Sequence, residues 1–206
     1  MTSIDLNSVD TVLATARSVR RKLDFDRPVP REVILECIDL AAQAPTGLGQ
    51  ENWRFLVVTD TQKKRRLADL YAAVLAELAA VRGVAIKSTQ HALVERLHEI
   101  PAMILVCTVA EGPGTEIPRQ VAYYGSVLPA AWSLMLALRA RGLGATWTTL
   151  LSSRQSEVAG ILDMPPSVVN TVMLPVAYTK GAVLKRADRL AAREVTFWDA
   201  WGREPG

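Results

Sequence analysis

The chain has 206 residues, of which 50% are hydrophobic and 22% charged, so wholesale disorder is excluded and a domain with a substantial core is expected. The net charge of +3 is small, and no stripe of Lys and Arg interleaved with aromatic residues is visible, which argues against a nucleic-acid-binding module. The longest apolar run, "IPAMILVCTVA", is too short to span a bilayer, and "MTSIDLNSVD" lacks the pattern of a signal peptide, so no membrane partner is expected.

The first half of the chain predicts helices on both sides of a strand. Apolar residues at helical spacing predict one helix over about residues 5–21, and a second begins near Pro30, which suits a first helical turn. That helix stops at "APTGLGQEN", and "WRFLVVTD" follows as a buried strand. Asp60 or Thr61 can cap a helix through "KKRRLADLYAAVLAELAAV", and part of residues 82–99 is helical.

The second half predicts strands around one long helix. "AMILVCTVA" indicates a second buried strand, and "QVAYYGSVLPAAWSLMLALRARG" is apolar nearly all round, as expected of a central helix that ends at Gly142. "LGATWTTLL" predicts a third strand, "SRQSEVAGILDMP" a short helix from Ser152 or Ser153, and "SVVNTVMLPVAYT" a fourth strand. We therefore expect an α+β fold with a mixed central sheet packed by helices.

Two cysteines, Cys37 and Cys107, lie in the apolar stretches "LECIDL" and "ILVCTV". Such cysteines are typically free, buried thiols, which fits a reducing compartment. We therefore expect a cytoplasmic protein.

The chain closes with an aromatic segment, "EVTFWDAW", that contains Phe197, Trp198 and Trp201. An apolar arm either docks on a second subunit, since interfaces favour such residues, or folds back on its own domain. The predicted organisation is one domain over residues 1–206, with residues 195–206 as a C-terminal arm that docks on the partner subunit.

Motifs for metal and nucleophilic chemistry are weak. His91 and His98 lie seven residues apart, but no Cys or carboxylate completes a familiar ligand set, so no metal is expected. "YYGSVLP" lacks the flanking glycines of a nucleophile elbow. The glycine pair of "RGLGATW" follows a helix instead of preceding one, so it is not a dinucleotide fingerprint.

Basic residues cluster in "RSVRRKLDFDRPVPREV". On a helix, Arg17, Arg20 and Arg21 can share a face, and Ser18 adds a hydroxyl, a set that suits a phosphate group. The alternative is a solvated helix C-terminus, where basic residues oppose the dipole without any ligand. A second basic loop, "KGAVLKRADR", could converge on the same anion. The loop "APTGLGQENW" could bring its backbone against a flat ring, or could be an ordinary connection.

The ordered set of these segments resembles the FMN-dependent nitroreductase family. "RSVRR", "PVPREVILECIDLAAQAPTG…NWRFLVVTD", "IPAMILVC", "LALRARGLGATWTT" and "PVAYTKG" occur in the order that the family shows, over nearly the whole chain. The last two are particularly similar to an actinobacterial branch. The resemblance implies a nitroreductase-like fold and a domain-swapped-tail homodimer with FMN at the subunit interface.

The resemblance also implies the cofactor contacts. The FMN phosphate and ribityl chain would be bound by Arg17, Ser18, Arg20 and Arg21, and the phosphate also by the late pair Lys185 and Arg189. The loop against the flavin ring would consist of Pro45, Thr46, Gly47, Leu48 and Glu51. The backbone near N5 of the ring would be that of Trp147, Thr148 and Thr149.

The ring loop departs from the usual "APSGGNxQPW". Gly49 replaces an asparagine, Glu51 a glutamine and Asn52 a proline, so an amide that could meet the cofactor is absent. An inward-facing Glu51 would disfavour the anionic reduced flavin. Many relatives also have Arg at the position of Ala16.

The function implied by the resemblance is transfer of hydride from NADH or NADPH through FMN to an electron-poor small molecule, such as a nitroaromatic or a quinone. The flavin carries this chemistry in two half-reactions at one site, so no catalytic side chain is expected. The alternatives are a non-catalytic flavin-binding or storage protein and a flavin-fragmenting enzyme of the same fold.

Overall fold

The computed structural model describes residues 4–47, 51–109 and 112–203. These residues fall into two compact units. The larger unit spans Ala16–Ala182, and the smaller one combines the described parts of 1–15 and 183–206.

Helices and strands alternate along the chain. The helices are α1 (Leu6–Thr15), α2 (Arg31–Ala41), α3 (Thr61–Arg82), α4 (Ser88–Val94), α5 (Ile117–Ala140) and α6 (Gln155–Leu162). The strands are β1 (Leu23–Asp24), β2 (Trp53–Val58), β3 (Ala102–Val109), β4 (Leu143–Ala145) and β5 (Val168–Thr179). Short 3-10 turns occupy Leu97–Glu99, Leu150–Ser153 and Ala192–Val195.

The strands of the larger unit form one sheet in the order β1-β5-β3-β2, and β4 also pairs with β5. The strand pairs are antiparallel, with Leu56 opposite Leu105 and Leu105 opposite Met173. A parallel bridge between Ser18 and Ala145 adds a mixed element at one edge. The predicted α+β fold is confirmed.

Strand β3 lies at the centre of the core. Its residues from Ala102 to Thr108 are at most 1% exposed, as expected of a strand covered on both faces. Ala102, Ile104 and Val106 pack in one cluster with α2 and α5, because alternate side chains of a strand point to the same face. The continuous apolar run "AMILVCTV" is therefore explained by two-sided burial.

Helix α5 covers this face of the sheet. Leu134 and Leu138 are fully buried, and the helix ends where Gly142 adopts φ +75°, a backbone conformation that favours glycine. The Gly142 N–H donates to the carbonyl of Arg139, so the predicted helix end is confirmed. By length and composition α5 could span a membrane, but half of its most apolar 18-residue stretch is buried inside the fold.

Helix α3 begins as the sequence predicts. The Asp60 carboxylate caps the helix by accepting from the Lys63 N–H at 2.8 Å. Lys64 is buried, its ammonium group donates to the carbonyl of Ile100 at 2.6 Å, and burial lowers the pKa of this lysine.

The predicted helix over residues 5–21 is wrong beyond Thr15. Ser18 bridges to Ala145, and Val19 is buried, so pairing with β4 replaces the helix that the local periodicity favours. Arg17, Arg20 and Arg21 consequently do not share a helix face.

Other predicted bounds also change. The third strand is limited to Leu143–Ala145, followed by an isolated bridge between Thr148 and Met173, and a 3-10 turn over residues 150–153 places the start of α6 at Gln155. Strand β1, Leu23–Asp24, lies in a stretch predicted to be only a connector, where it pairs with the end of β5.

The smaller unit exposes much of its apolar surface. Leu6 and Leu13 of α1 are 71% and 50% exposed, and Trp201 is 92% exposed. The Phe197 and Trp201 rings contact each other with centroids 4.7 Å apart. The single-domain organisation and the docking of the arm stay predictions.

Candidate functional site

Two of the segments assigned to a cofactor lie side by side in the larger unit. The Val19 N–H donates to the carbonyl of Ala145 at 2.9 Å, and the Thr146 hydroxyl donates to the carbonyl of Val19 at 2.6 Å. The Trp147 N–H donates to Ser18 Oγ at 3.0 Å. These bonds join residues about 130 positions apart in the sequence into one backbone surface.

Gly144 makes this approach possible. A Cβ atom at this position would lie 3.0 Å from side-chain atoms of Leu23 and Thr179 and 3.1 Å from Cβ of Val19. Any side chain would therefore push Val19 and its neighbours away from β4. The glycine pair of "RGLGATW" thus ends α5 and admits the segment of Ser18, without a phosphate-binding role.

The three arginines that were predicted to bind the phosphate lie in different surroundings. The Nε atom of Arg20 is buried and has no hydrogen-bond partner. Arg17 donates from Nη1 to the carbonyl of Ala16. Arg21 is exposed and donates from Nη2 to Ser88 Oγ at 2.9 Å, which directs it to the start of α4.

The backbone of residues 147–149 offers one open donor. Ser18 Oγ accepts from the Trp147 N–H. The Thr148 N–H donates to the carbonyl of Met173 at 3.2 Å, and the carbonyl of Thr148 accepts from the Met173 N–H at 2.8 Å. Within the described residues, the N–H of Thr149 makes no hydrogen bond. Only Thr149 among these three can therefore donate its N–H to a ligand without breaking an existing bond.

The glycine loop is fixed onto α5. The Gly47 N–H donates to Ser126 Oγ at 2.7 Å, and that hydroxyl donates to the carbonyl of Ala122 at 2.9 Å. A Cβ at Gly47 would lie 2.8 Å from Ser126 Oγ and 3.1 Å from the Ala122 oxygen. Pro45 is exposed and Thr46 half-buried, while Leu48 lies outside the described residues, as does Gly49.

The loop after Gly47 differs from the sequence-based expectation. Glu51 is exposed, and its carbonyl accepts from Arg54 Nη1 at 2.8 Å. The side chain of Asn52 is turned inward, since its Oδ1 atom is buried without a hydrogen-bond partner. This loop therefore carries a side-chain amide whose oxygen is buried, at the position where the family pattern has proline.

Two predicted phosphate ligands belong to the smaller unit. Lys185 and Arg189 are exposed, and Arg189 donates to the carbonyl of Asp188 at 3.4 Å. Their approach to Arg17 and Arg20 stays a prediction of the family resemblance.

Sequence reasoning missed Ser126 and Asn52. A serine inside the otherwise apolar α5 is a signal that could have indicated a structural hydrogen bond.

For a metal, the described ranges contain no group of three His, Cys, Asp or Glu side chains that could hold an ion.

Residues 13–178 match the Nitroreductase family, so the chain belongs to this family. The match runs from α1 to the end of β5 and includes the joined segments of Ser18 and Trp147. The assignment to an actinobacterial branch stays a prediction.

Several curated relatives are similar over most of the chain. Iodotyrosine deiodinase of Danio rerio is 30% identical over 189 residues, which are 84% of this chain and 63% of the relative, so the chain spans less than two thirds of that protein. Iodotyrosine deiodinase of Thermotoga neapolitana is 29% identical over 81% of this chain and 86% of its own length. 5,6-Dimethylbenzimidazole synthase of Rhodospirillum rubrum is 30% identical over 67% of each chain.

Solved structures share the fold at low sequence identity. An oxidised iodotyrosine deiodinase bound to FMN and 3-iodo-L-tyrosine has a TM-score of 0.68 at 24% identity, covering 91% of this chain and 98% of its own. The NADPH:FMN oxidoreductase of Vibrio harveyi in complex with NAD+ has a TM-score of 0.72 at 15% identity, covering 97% and 80%.

Proposed function

We propose that this chain is an FMN-dependent oxidoreductase that accepts hydride from NADH or NADPH and passes it to an electron-poor small molecule such as a nitroaromatic or a quinone. Membership of the Nitroreductase family supports the reaction class. The observation that carries the proposal is the joined surface of residues 16–20 and 145–149, in which a buried guanidinium nitrogen and a backbone N–H both lack partners.

The residues of this surface fit a flavin mononucleotide. Arg20 has a buried Nε without a partner, and burial of such a donor is costly unless an acceptor reaches it. A phosphate oxygen is a strong acceptor for a guanidinium group. Ser18 already accepts from Trp147, but its hydroxyl hydrogen remains available to donate to a ligand oxygen.

FMN, when bound, supplies the hydride chemistry. The chain would position it through the Thr149 N–H, which makes no hydrogen bond among the described residues. Arg17 and Arg20 would neutralise the phosphate, with Lys185 and Arg189 as further cations. Gly47 would hold the ring loop in place through Ser126, and the exposed Glu51 would leave its charge in solvent.

A homodimer is part of the proposal. Helix α5 exposes Val121, Tyr124 and Trp132 by 65%, 40% and 41%, although its opposite face is buried in the core. The tail exposes Trp198 and Trp201 by 56% and 92%. Large exposed apolar surfaces of this kind are typical of interfaces between subunits, and a second copy would cover them.

The buried free thiols of the chain support a cytoplasmic location.

The test is an anaerobic absorbance titration of the protein after incubation with FMN and removal of free flavin. We expect a yellow protein whose flavin band bleaches on addition of NADH or NADPH and returns when a nitroaromatic or quinone is added. The variant Arg20→Leu is expected to lose much of its FMN affinity, whereas Arg21→Leu, which only frees Ser88, should retain it. A protein that cannot be loaded with FMN would contradict the proposal.

A second candidate is the flavin-fragmenting reaction, since the Rhodospirillum rubrum relative is named 5,6-dimethylbenzimidazole synthase. In that case reduced FMN would be consumed stoichiometrically when oxygen is admitted, and the flavin band would not return. Retention of FMN without any response to NADH or NADPH would instead indicate a flavin-binding or storage protein. The deiodinase relatives make 3-iodo-L-tyrosine the third acceptor to test.

A further inference from the structure

Gln155, the first residue of α6, attaches the preceding 3-10 turn to strand β5. Its side-chain nitrogen donates to the carbonyl of Asn170 at 2.6 Å and to the carbonyl of Ser152 at 3.0 Å, and its side-chain oxygen accepts from the Asn170 N–H at 2.9 Å. A glutamine amide carries two hydrogens, so both are used here on backbone carbonyls. Gln155 therefore has no N–H left to donate to a ligand, and a role in the site has to be indirect.

The turn that Gln155 attaches includes the backbone of Thr149. The Ser152 N–H and the Ser152 hydroxyl both donate to the carbonyl of Thr149, at 3.0 and 2.6 Å. On the other side of Thr149, residue Thr148 pairs with Met173 through two backbone hydrogen bonds. Thr149 is therefore held from both sides, by Thr148 on strand β5 and by Ser152, whose own carbonyl is bound to Gln155.

The N–H of Thr149 points away from β5. The carbonyl of Thr148, which belongs to the same peptide group, accepts from the Met173 N–H at 2.8 Å. In a trans peptide the N–H and the C=O point in opposite directions, so the Thr149 N–H is directed to the side opposite β5. Thr149 is exposed, and its N–H makes no hydrogen bond within the described part of the chain. The direction of this open donor is thus set by the bonds that hold the backbone on either side of it.

Removal of the Gln155 amide would disturb this arrangement. Methionine at this position keeps the length of the side chain but loses all three hydrogen bonds. Asn170 is 1% exposed, so its N–H and C=O have little access to water as a replacement, and leaving them unpaired is costly. A movement of the turn that satisfied them would carry Thr149 along, because Ser152 binds its carbonyl.

We propose that Gln155 is a positioning residue that aims the Thr149 N–H at N5 of bound FMN. This inference rests on the proposed function and adds to it a residue that acts through the backbone of the turn. An N–H directed at N5 donates to this nitrogen in the oxidised flavin, but faces the hydrogen that N5 gains on reduction. The donor therefore favours the oxidised form, and its misplacement should shift the midpoint potential to more positive values.

The test uses FMN labelled with a nitrogen isotope at N5, because the NMR signal of this atom reports hydrogen bonding to it. In FMN-loaded Gln155→Met the N5 signal should move toward its position in an aprotic solvent, and FMN affinity should fall about three- to tenfold. The phosphorus signal of the FMN phosphate should not move, since the three bonds of Gln155 reach only Asn170 and Ser152.

Two further variants separate positioning from folding. Ser152→Ala removes only the hydroxyl bond to Thr149 from an exposed residue, so the protein should fold and show a smaller shift of the N5 signal in the same direction. Gln62→Met is the matched control, because it makes the same substitution at an exposed position in the first turn of α3. This control should leave the N5 signal, the midpoint potential and the FMN affinity unchanged.

The possible outcomes distinguish this inference from the proposed function. An unmoved N5 signal in both Gln155→Met and Ser152→Ala would overturn the inference. Equal shifts of the N5 and phosphorus signals would also overturn it, because they would indicate a general loosening of the site. An N5 signal that responds as expected, in a parent protein that does not react with NADH or NADPH, would contradict the reductase function alone. A parent protein that takes up no FMN would contradict both.

Discussion

The contact between Gly47 and Ser126 gives a quantitative test of how the ring loop is held. In Gly47→Ala, the new Cβ would lie 2.8 Å from Ser126 Oγ and 3.1 Å from the carbonyl oxygen of Ala122, both too close for a normal contact. Overpacking of this kind typically costs about 1–3 kcal/mol of the free energy of unfolding. Because Ser126 is 1% exposed, its hydroxyl cannot swing into solvent to relieve the clash.

The serine supplies the second half of a double-mutant cycle. Ser126→Ala removes the acceptor of the Gly47 N–H, and an unsatisfied buried donor costs roughly 1–3 kcal/mol. In the double variant the added methyl group occupies the space of the deleted hydroxyl. The two substitutions together should therefore cost less than the sum of the single effects, by about 1–2 kcal/mol.

Urea unfolding of the four proteins measures this coupling, and titration with FMN shows whether the loop also positions the cofactor. Gly47→Ala should lower FMN affinity about tenfold, the equivalent of about 1.4 kcal/mol, with partial recovery in the double variant. Gly125→Ala is the matched control, since a Cβ there meets no atom within 4 Å and alanine favours a helix. Additive effects of the two substitutions on the free energy of unfolding would refute this account of the loop.

Two other substitutions test the site and the core. Ser18→Ala leaves the Trp147 N–H without its acceptor and should lower the free energy of unfolding in urea by about 1–2 kcal/mol. The control Ser156→Ala, on the exposed side of α6, should change it by less than about 0.5 kcal/mol. Similar losses in both variants would contradict the role of the 3.0 Å bond between Trp147 and Ser18. Burial raises the pKa of the Cys107 thiol to about 12. The folded thiol therefore stays protonated at pH values at which the unfolded thiol, with a pKa of about 9, ionises. Because ionisation favours the unfolded state, the free energy of unfolding falls as the pH rises above about 9. Relative to Cys107→Ala, the parent protein should lose about 2 kcal/mol between pH 8 and 10.5, and parallel stability profiles would show that the thiol ionises equally in both states.

The parts of the fold that follow from local physics could be predicted from the sequence. The "AMILVCTV" strand was identifiable because a short, continuous apolar run suits burial on both faces. Asp60 and Gly142 mark helix ends through a side-chain acceptor and a positive φ, which depend only on neighbouring residues. Family membership followed from the order of such segments along the chain.

The segment of Ser18 shows where local reasoning stops. Its helical periodicity continues that of α1, but the chain pairs instead with Ala145. No sequence feature within ten residues of Ser18 indicates that this segment pairs with Ala145. The same holds for the unpaired atoms of Arg20, Asn52 and Asn170. Their lack of partners is a property of the packed fold, so composition and spacing could suggest polar sites without showing which atoms remain open.

Strand β5 pairs with β1, β3 and β4 along its 12 residues, although it is the last strand to be synthesised. During synthesis, β2 and β3 can pair once the intervening helices α3 and α4 have been made, but one edge of β3 and all of β1 and β4 await a segment that ends only at Thr179. A nascent chain stalled before residue 168 therefore leaves one edge of the largely apolar β3 unpaired, which favours aggregation and chaperone binding until translation is complete.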